Sequence, residues 1–454
     1  MTSAETTSTA APGFNRDPAA AIAALEAELA ATPRRSRPHQ HAAAAYRLGV
    51  AYAESPAGDP RQSLRRALSC YDVALDIFDS ANDPVEHARV LNAAGAARRS
   101  LAETGEAAEL FRRAVELLRG RDRDEELGAV LNNLGLARAE AGSIDLADEA
   151  YAEALDLFDT DTAQGRRARV ATLHNRGQAK AQIQTPDAQR EAIGFYRAAL
   201  DLVDLDEAPY HYGLVLHSHG VALTTLAELD PDHRESLLRE ATSAFGATFG
   251  TFTRTGFPYQ HAMAKYNCGN AWVALGSEQD LRRATGVYED ALTIFDPRLQ
   301  VEEWKRTYAG LEKVEKRLAE VGERGSRADH FAILVSTVDR EERASLLSDR
   351  LARLIDMPEP RRAAAMVEWA AAVDRLGYDR TRLVLEAELE LLTTVPQDAL
   401  RALLQGQMDA RPQVDEELRV EADRALDDAV GWTLNGPQRV YVRDFLLSLG
   451  FERP

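Results

Sequence analysis

Apolar and polar positions recur along the chain at helical spacing, and a two-part template repeats on top of that periodicity. Its first half is Gly, any residue, Ala, at Gly49/Ala51, Gly95/Ala97, Gly135/Ala137, Gly177/Ala179, Gly220/Ala222 and Gly269/Ala271. Its second half is Ala, an aromatic four residues on, and Ala or Thr three further. It reads Ala67/Tyr71/Ala74, Ala107/Phe111/Ala114, Ala147/Tyr151/Ala154, Ala192/Tyr196/Ala199, Ala241/Phe245/Thr248 and Ala284/Tyr288/Ala291. Two antiparallel helices approach closely where one presents almost no side chain, so each Gly predicts a socket for the aromatic knob of the next helix. With the Gly as origin and 100° per residue, the positions one and four before it share an apolar arc. Leu91, Leu131, Leu173 and Leu216 hold the fourth. Arg98, Arg138 and Lys180 fall inside that arc, where long stems can lie over apolar surface.

Helix A with Gly and helix B with Ala, aromatic, Ala resembles the tetratricopeptide repeat (TPR) family. The step from Gly to aromatic is 16 residues in two repeats, as in that family, and 19 to 25 in the others. Successive glycines lie 40 to 49 residues apart, against about 34 in the standard repeat, so longer helices and linkers absorb the difference. The resemblance implies an all-α, right-handed helical-hairpin solenoid of six repeats, each hairpin covering apolar area left by its neighbour. A tail over 1–16 is expected to be disordered. A short helix from Asp17 to Leu29, with Ile22, Leu25 and Leu29 on one side, and a linker to 39 precede the array over 40–321, closed by a helix over 301–321. Gly322 to Ser326 marks a domain boundary. A helical C-terminal domain follows over 327–454, with helices expected at 338–356, 360–376, 380–393, 396–409, 413–431 and 437–449. The run Phe331–Val335 reads as strand or helix equally. Trp369, Trp432, Met366, Leu385, Leu391 and Leu392 read as core.

Charge narrows the partners. Lys plus Arg is 54 against 73 Asp plus Glu, a net charge of −19, which repels a phosphate backbone, so nucleic acid is not expected. Only five of those 54 cations are Lys, a bias of the kind that base composition in a bacterial genome produces. No run of eighteen apolar residues occurs, so no membrane partner is expected. The polar N-terminal stretch is unlike a secretory signal, which points to a cytoplasmic protein. Cys70 and Cys268 are too few for a disulfide framework or a thiolate metal site. Phosphate-binding loops, H-E-x-x-H, G-x-S-x-G and EF-hand patterns are missing, so neither a cofactor nor an enzymatic activity is expected.

The most informative register lies three residues before each Gly: Tyr46, Asn92, Asn132, His174, His217 and Tyr266. A merely solvated face would carry Glu, Lys and Arg, and here none of the six does. Positions six before, one after and four after share the face and add Arg89, Gln178 and Arg99. The family resemblance implies that these nine residues line an inner groove where Asn side chains grip the backbone of a peptide or protein partner. His211, His217 and His219 do not share one helical face, so a metal site is not expected. Glu386 and Glu390 share a face and read as a solvated stripe, with an acid/base pair the less favoured alternative. The function expected is a non-catalytic scaffold or adaptor, with a second protein partner for the C-terminal domain. The alternative is a regulatory sensor that responds to a peptide or small molecule and transmits through that domain.

Overall fold

The computed structural model describes residues 18–56, 58–203, 205–320, 326–358, 360–392 and 397–451. Among them every regular element is helical. The tail 1–16, Asp17 and the boundary stretch up to Gly325 lie outside the described residues. The chain forms two compact units, Met1–Asp232 and His233–Pro454.

The first unit opens with α1 (Pro18–Ala31), α2 (Pro38–Glu54), α3 (Pro60–Leu75), α4 (Pro84–Ser100) and α5 (Thr104–Leu118). It continues with α6 (Asp124–Glu140), α7 (Ile144–Leu157), α8 (Ala163–Ala181), α9 (Pro186–Leu200) and α10 (Pro209–Leu229). The even-numbered helices are the A helices and the following odd ones their B partners. Ile22, Leu25 and Leu29 of α1 pack against the core of the α2/α3 hairpin. The sockets are real: a Cβ built on Gly49, Gly95, Gly135 or Gly177 would stand 2.5–2.7 Å from the ring of Tyr71, Phe111, Tyr151 or Tyr196. Those four rings are at most 2% exposed, and burial of each contributes roughly 1.5–3 kcal/mol.

A second aromatic register was not anticipated. Phe78 and Phe158, seven residues after their knobs, are buried, and the Phe158 ring lies 2.8 Å from where Gly128 would carry a Cβ. Proline opens A helices at their first position (Pro38, Pro84, Pro209), where its missing N–H leaves no bond unmade. The off-pattern cations reach across to their own B helices: Arg98 to Glu106, Arg138 to the Leu146 carbonyl, Lys180 to Glu191. Consecutive A helices touch one another, whereas consecutive B helices approach far less. A stack so arranged curves with its A helices inside.

The second unit begins with α11 (Arg234–Thr251), α12 (Pro258–Leu275), α13 (Glu278–Ile294) and α14 (Val301–Glu320). Its remaining helices are α15 (Arg327–Thr337), α16 (Arg340–Asp356), α17 (Arg361–Asp374), α18 (Tyr378–Leu392), α19 (Gln397–Ala410), α20 (Glu416–Thr433) and α21 (Gly436–Ser448). Gly269 receives Tyr288 as the other sockets receive their knobs, the Cβ position 2.5 Å from the ring. Phe331–Val335 is helical, within α15. Ser326 and Asp329 form a reciprocal capping box at its start. Around Trp369, Phe331 and Leu385 the C-terminal helices build one core with α18 against α20 and α17 against α19. Trp432 is not part of it. Standing at the end of α20, it is 64% exposed, with the Arg382 guanidinium 4.7 Å over its ring, so apolar type alone misplaced it.

Candidate binding surface on the A helices

Successive A helices of the first unit are tied by side chains at equivalent registers. The Nδ2 of Asn133 donates to Oδ1 of Asn92, and the Nδ2 of Asn175 donates to Oδ1 of Asn132, both at 3.0 Å. His174 Nε2 meets the Ser218 hydroxyl at 2.9 Å. Each rung joins the residue three before one socket Gly to the residue two before the next. Three of the expected residues, Asn92, Asn132 and His174, therefore sit half-buried with one polar atom already engaged. The partners Asn133, Asn175 and Ser218 were not singled out from the sequence, because spacing along one helix does not reveal the register between two.

Arg89 and Arg99 are not free cations. Arg89 holds Glu126 with both arms of its guanidinium, and Arg99 holds Glu140 at 2.7 Å. An ion pair thus lies at each end of the α4–α6 contact with the amide pair between them. Gln178 is exposed. The ring of Tyr46 lies 6.1 Å from the knob Tyr71, and His174 lies 5.8 Å from the knob Tyr196. Burial raises the Tyr46 phenol above its ordinary pKa, the nearby Arg89 opposing. Tyr266 belongs to the second unit, where it repeats the contact at 6.2 Å from Tyr288.

The imidazoles come together differently from the sequence reading. His174 of α8 interacts electrostatically with His211 and His217 of α10, while His219 is buried. Burial, with repulsion from those two neighbours, pushes His174 down to about 4; burial alone does the same to His217. Both are uncharged at neutral pH. Among the described residues no group of three His, Cys, Asp or Glu side chains could hold a metal ion. An open cleft of about 700 Å³ lies between α1, α2 and α3, with Leu29, Tyr52 and Cys70 in its lining and none of the expected groove residues.

Spacing along the chain does not mark the partners of a further histidine register, which are backbone carbonyls. Eight residues before their sockets, His41, His87 and His261 each place Nδ1 2.6–2.7 Å from a backbone carbonyl nine residues earlier, those of Thr32, Phe78 and Phe252. In each case the imidazole closes the end of the preceding helix.

The carboxylates of α18 separate into two kinds. Glu386 pairs with Arg382 and Glu390 with Arg340. Glu388 between them is 1% exposed and accepts from Trp369 Nε1 at 2.5 Å. Burial raises it to about 7. It faces core and indole, with the charge of Arg350 acting against the rise.

The hairpins are tetratricopeptide-like. No family model matches the chain, and no curated protein does. Among solved structures, a tetratricopeptide repeat protein from Parabacteroides merdae is similar at 15% identity, over 64% of this chain and 93% of that one, with a TM-score of 0.40. The apo form of RapI is similar at 12% identity, over 62% and 99%, with a TM-score of 0.40. The TPR domain of P58(IPK) is similar at 16% identity, over 90% and 97%, with a TM-score of 0.26. At these identities the likeness is one of helical-repeat architecture alone.

Proposed function

We propose that the chain is a non-catalytic protein-binding scaffold of the tetratricopeptide kind. Its A-helix wall in the first unit holds a segment of a partner, and its C-terminal helices engage a second protein. The observation that carries the first part is the amide ladder. Asn92 and Asn132 each use Oδ1 within it, while their Nδ2 donors have no partner among the described residues. Donors fixed in direction at repeat spacing can donate to the carbonyls of an extended chain with little further ordering. The second part draws support from exposed Trp432, Val440 and Leu447 on α20 and α21. A photo-crosslinking residue at Gln178, exposed on the wall, is expected to capture discrete partners in cells, and the same residue at exposed Arg113 on α5 to capture none. Equal capture at both places, or at neither, would remove the wall from the account.

A further inference from the structure

Resting on that reading, we infer that the wall takes an extended polypeptide segment whose side chains are uncharged and largely apolar, not an acidic tail. The relevant surface runs across α6, α8 and α10 at the registers −6, −3, −2, +1 and +4 from each socket Gly. Those fifteen positions hold Ala, Leu, Val, Asn, Gln, His, Ser and Thr, and not one Asp, Glu, Lys or Arg. In a chain that is 28% charged, so many positions would ordinarily carry several charges. Val221 stands 40% exposed, and Ala129, Leu136, Ala171 and Leu214 are half-buried between the polar rungs. Here the wall offers apolar contact and neutral hydrogen-bonding groups in alternation.

The cations that could hold a carboxylate are already committed on α4, Arg89 to Glu126 and Arg99 to Glu140. The two wall imidazoles are neutral at physiological pH. An acidic segment laid here would be desolvated against uncharged groups, inside a protein of net charge −19, with nothing to offset the loss. A strongly basic segment meets the same difficulty, because Glu126 and Glu140 are paired. An uncharged segment meets none of it. Its carbonyls can accept from the amide donors and its alternate side chains can cover Leu136 and Val221.

The test is to pan a phage-displayed random peptide library on the full chain and titrate the selected peptides as free peptides. Selected sequences should be depleted in Asp, Glu, Lys and Arg relative to the input library. Their affinity should change less than about twofold between low and high salt, since little charge is neutralised on binding. Gln178→Glu and Val221→Glu, both at exposed positions, should each weaken them about tenfold or more with unfolding temperature retained. Acidic peptides that these variants weaken, and that Arg89→Ala or Arg99→Ala releases, would overturn the inference and leave the groove standing. Failure to enrich any peptide, or enrichment of peptides indifferent to all four variants, would overturn the groove reading itself.

Discussion

His87 shows how much can rest on one side chain in a stack of short helices. It is 8% exposed, its Nδ1 closes on the Phe78 carbonyl at 2.7 Å, and that carbonyl follows the end of α3, where helical partners run out. Removing the imidazole leaves a buried acceptor unpaired. His87→Ala should therefore destabilise the first unit by about 1–3 kcal/mol. His39, exposed and paired with Asp83 at 3.0 Å, should move stability by less than about 1 kcal/mol on the same change. Urea unfolding of the two variants compares them directly, and equal losses would refute the capping role. This register shows what the sequence carried and what it withheld. His41, His87 and His261 stand at one offset from their sockets, so the repeat was there to be seen. Their partners are backbone carbonyls, which leave no mark on residue spacing. The polar stripe at Asn92, Asn132 and His174 was legible because helical period alone defines a face. Its rungs to Asn133, Asn175 and Ser218 were not, since linker length decides which turn of one helix meets which turn of the next.

At the scale of helices, the sockets decide how closely each hairpin closes. A Cβ on Gly135 would lie 2.5 Å from the Tyr151 ring, with two more ring atoms within 2.8 Å. The knob is fully buried and cannot swing aside, so Gly135→Ala should destabilise by about 1–3 kcal/mol. Gly194, in the middle of α9, meets nothing within 4 Å, so Gly194→Ala should instead stabilise by up to about 1 kcal/mol through helix propensity. Thermal melts of the two variants should shift in opposite directions; a common sign would show that the socket contact is not what sets the loss. The turn after helix A allows a complementary gain. Gly142 and Gly276 stand seven residues after their sockets with φ of 79° and 82°, and Ala102 occupies the same register with φ of 66°. A left-handed alanine is strained, and Ala102→Gly should recover about 1 kcal/mol, seen as a higher unfolding midpoint. The helix pairing itself was legible, because Gly and an aromatic ring are the two most extreme side-chain sizes and their recurrence is hard to disguise. The burial of Phe78 and Phe158 was not, because they fall at helix ends, beyond the periodic window.

Across the whole chain, the buried histidines and carboxyls shifted into the range between pH 4 and 8 divide by unit, and their signs oppose. In the first unit, His174 and His217 are pushed down to about 4 from an ordinary 6.5. The unfolded chain takes up their protons first, so this unit loses stability as pH falls from about 6.5 toward 4. In the second, Glu388 is raised to about 7 by burial, and Asp374 to about 8 by burial and the nearby Asp423 charge. Asp374 accepts from Gln407 Nε2 at 2.7 Å, a bond that does not offset the burial of a charge. For these two the folded state holds the proton longer. Stability is full below their unfolded values and is lost as pH rises toward 7 and 8. Carboxyls held low by ion pairs, Asp148 with Arg176 and Asp329 with Arg375, act only below pH 4 and leave this window to the buried groups. Between pH 5 and 7, calorimetry of the full chain should therefore resolve two transitions that shift in opposite directions, one upward and one downward with rising pH. The downward displacement corresponds to on the order of 2 kcal/mol for each acid. Glu388→Gln retains an acceptor for the Trp369 indole and should reduce the slope of the falling transition by about half, Asp374 keeping the rest, while His174→Asn should reduce the slope of the rising one alone, His217 keeping the rest. A single transition, or two that move together in both variants, would mean that these groups do not titrate as their surroundings require.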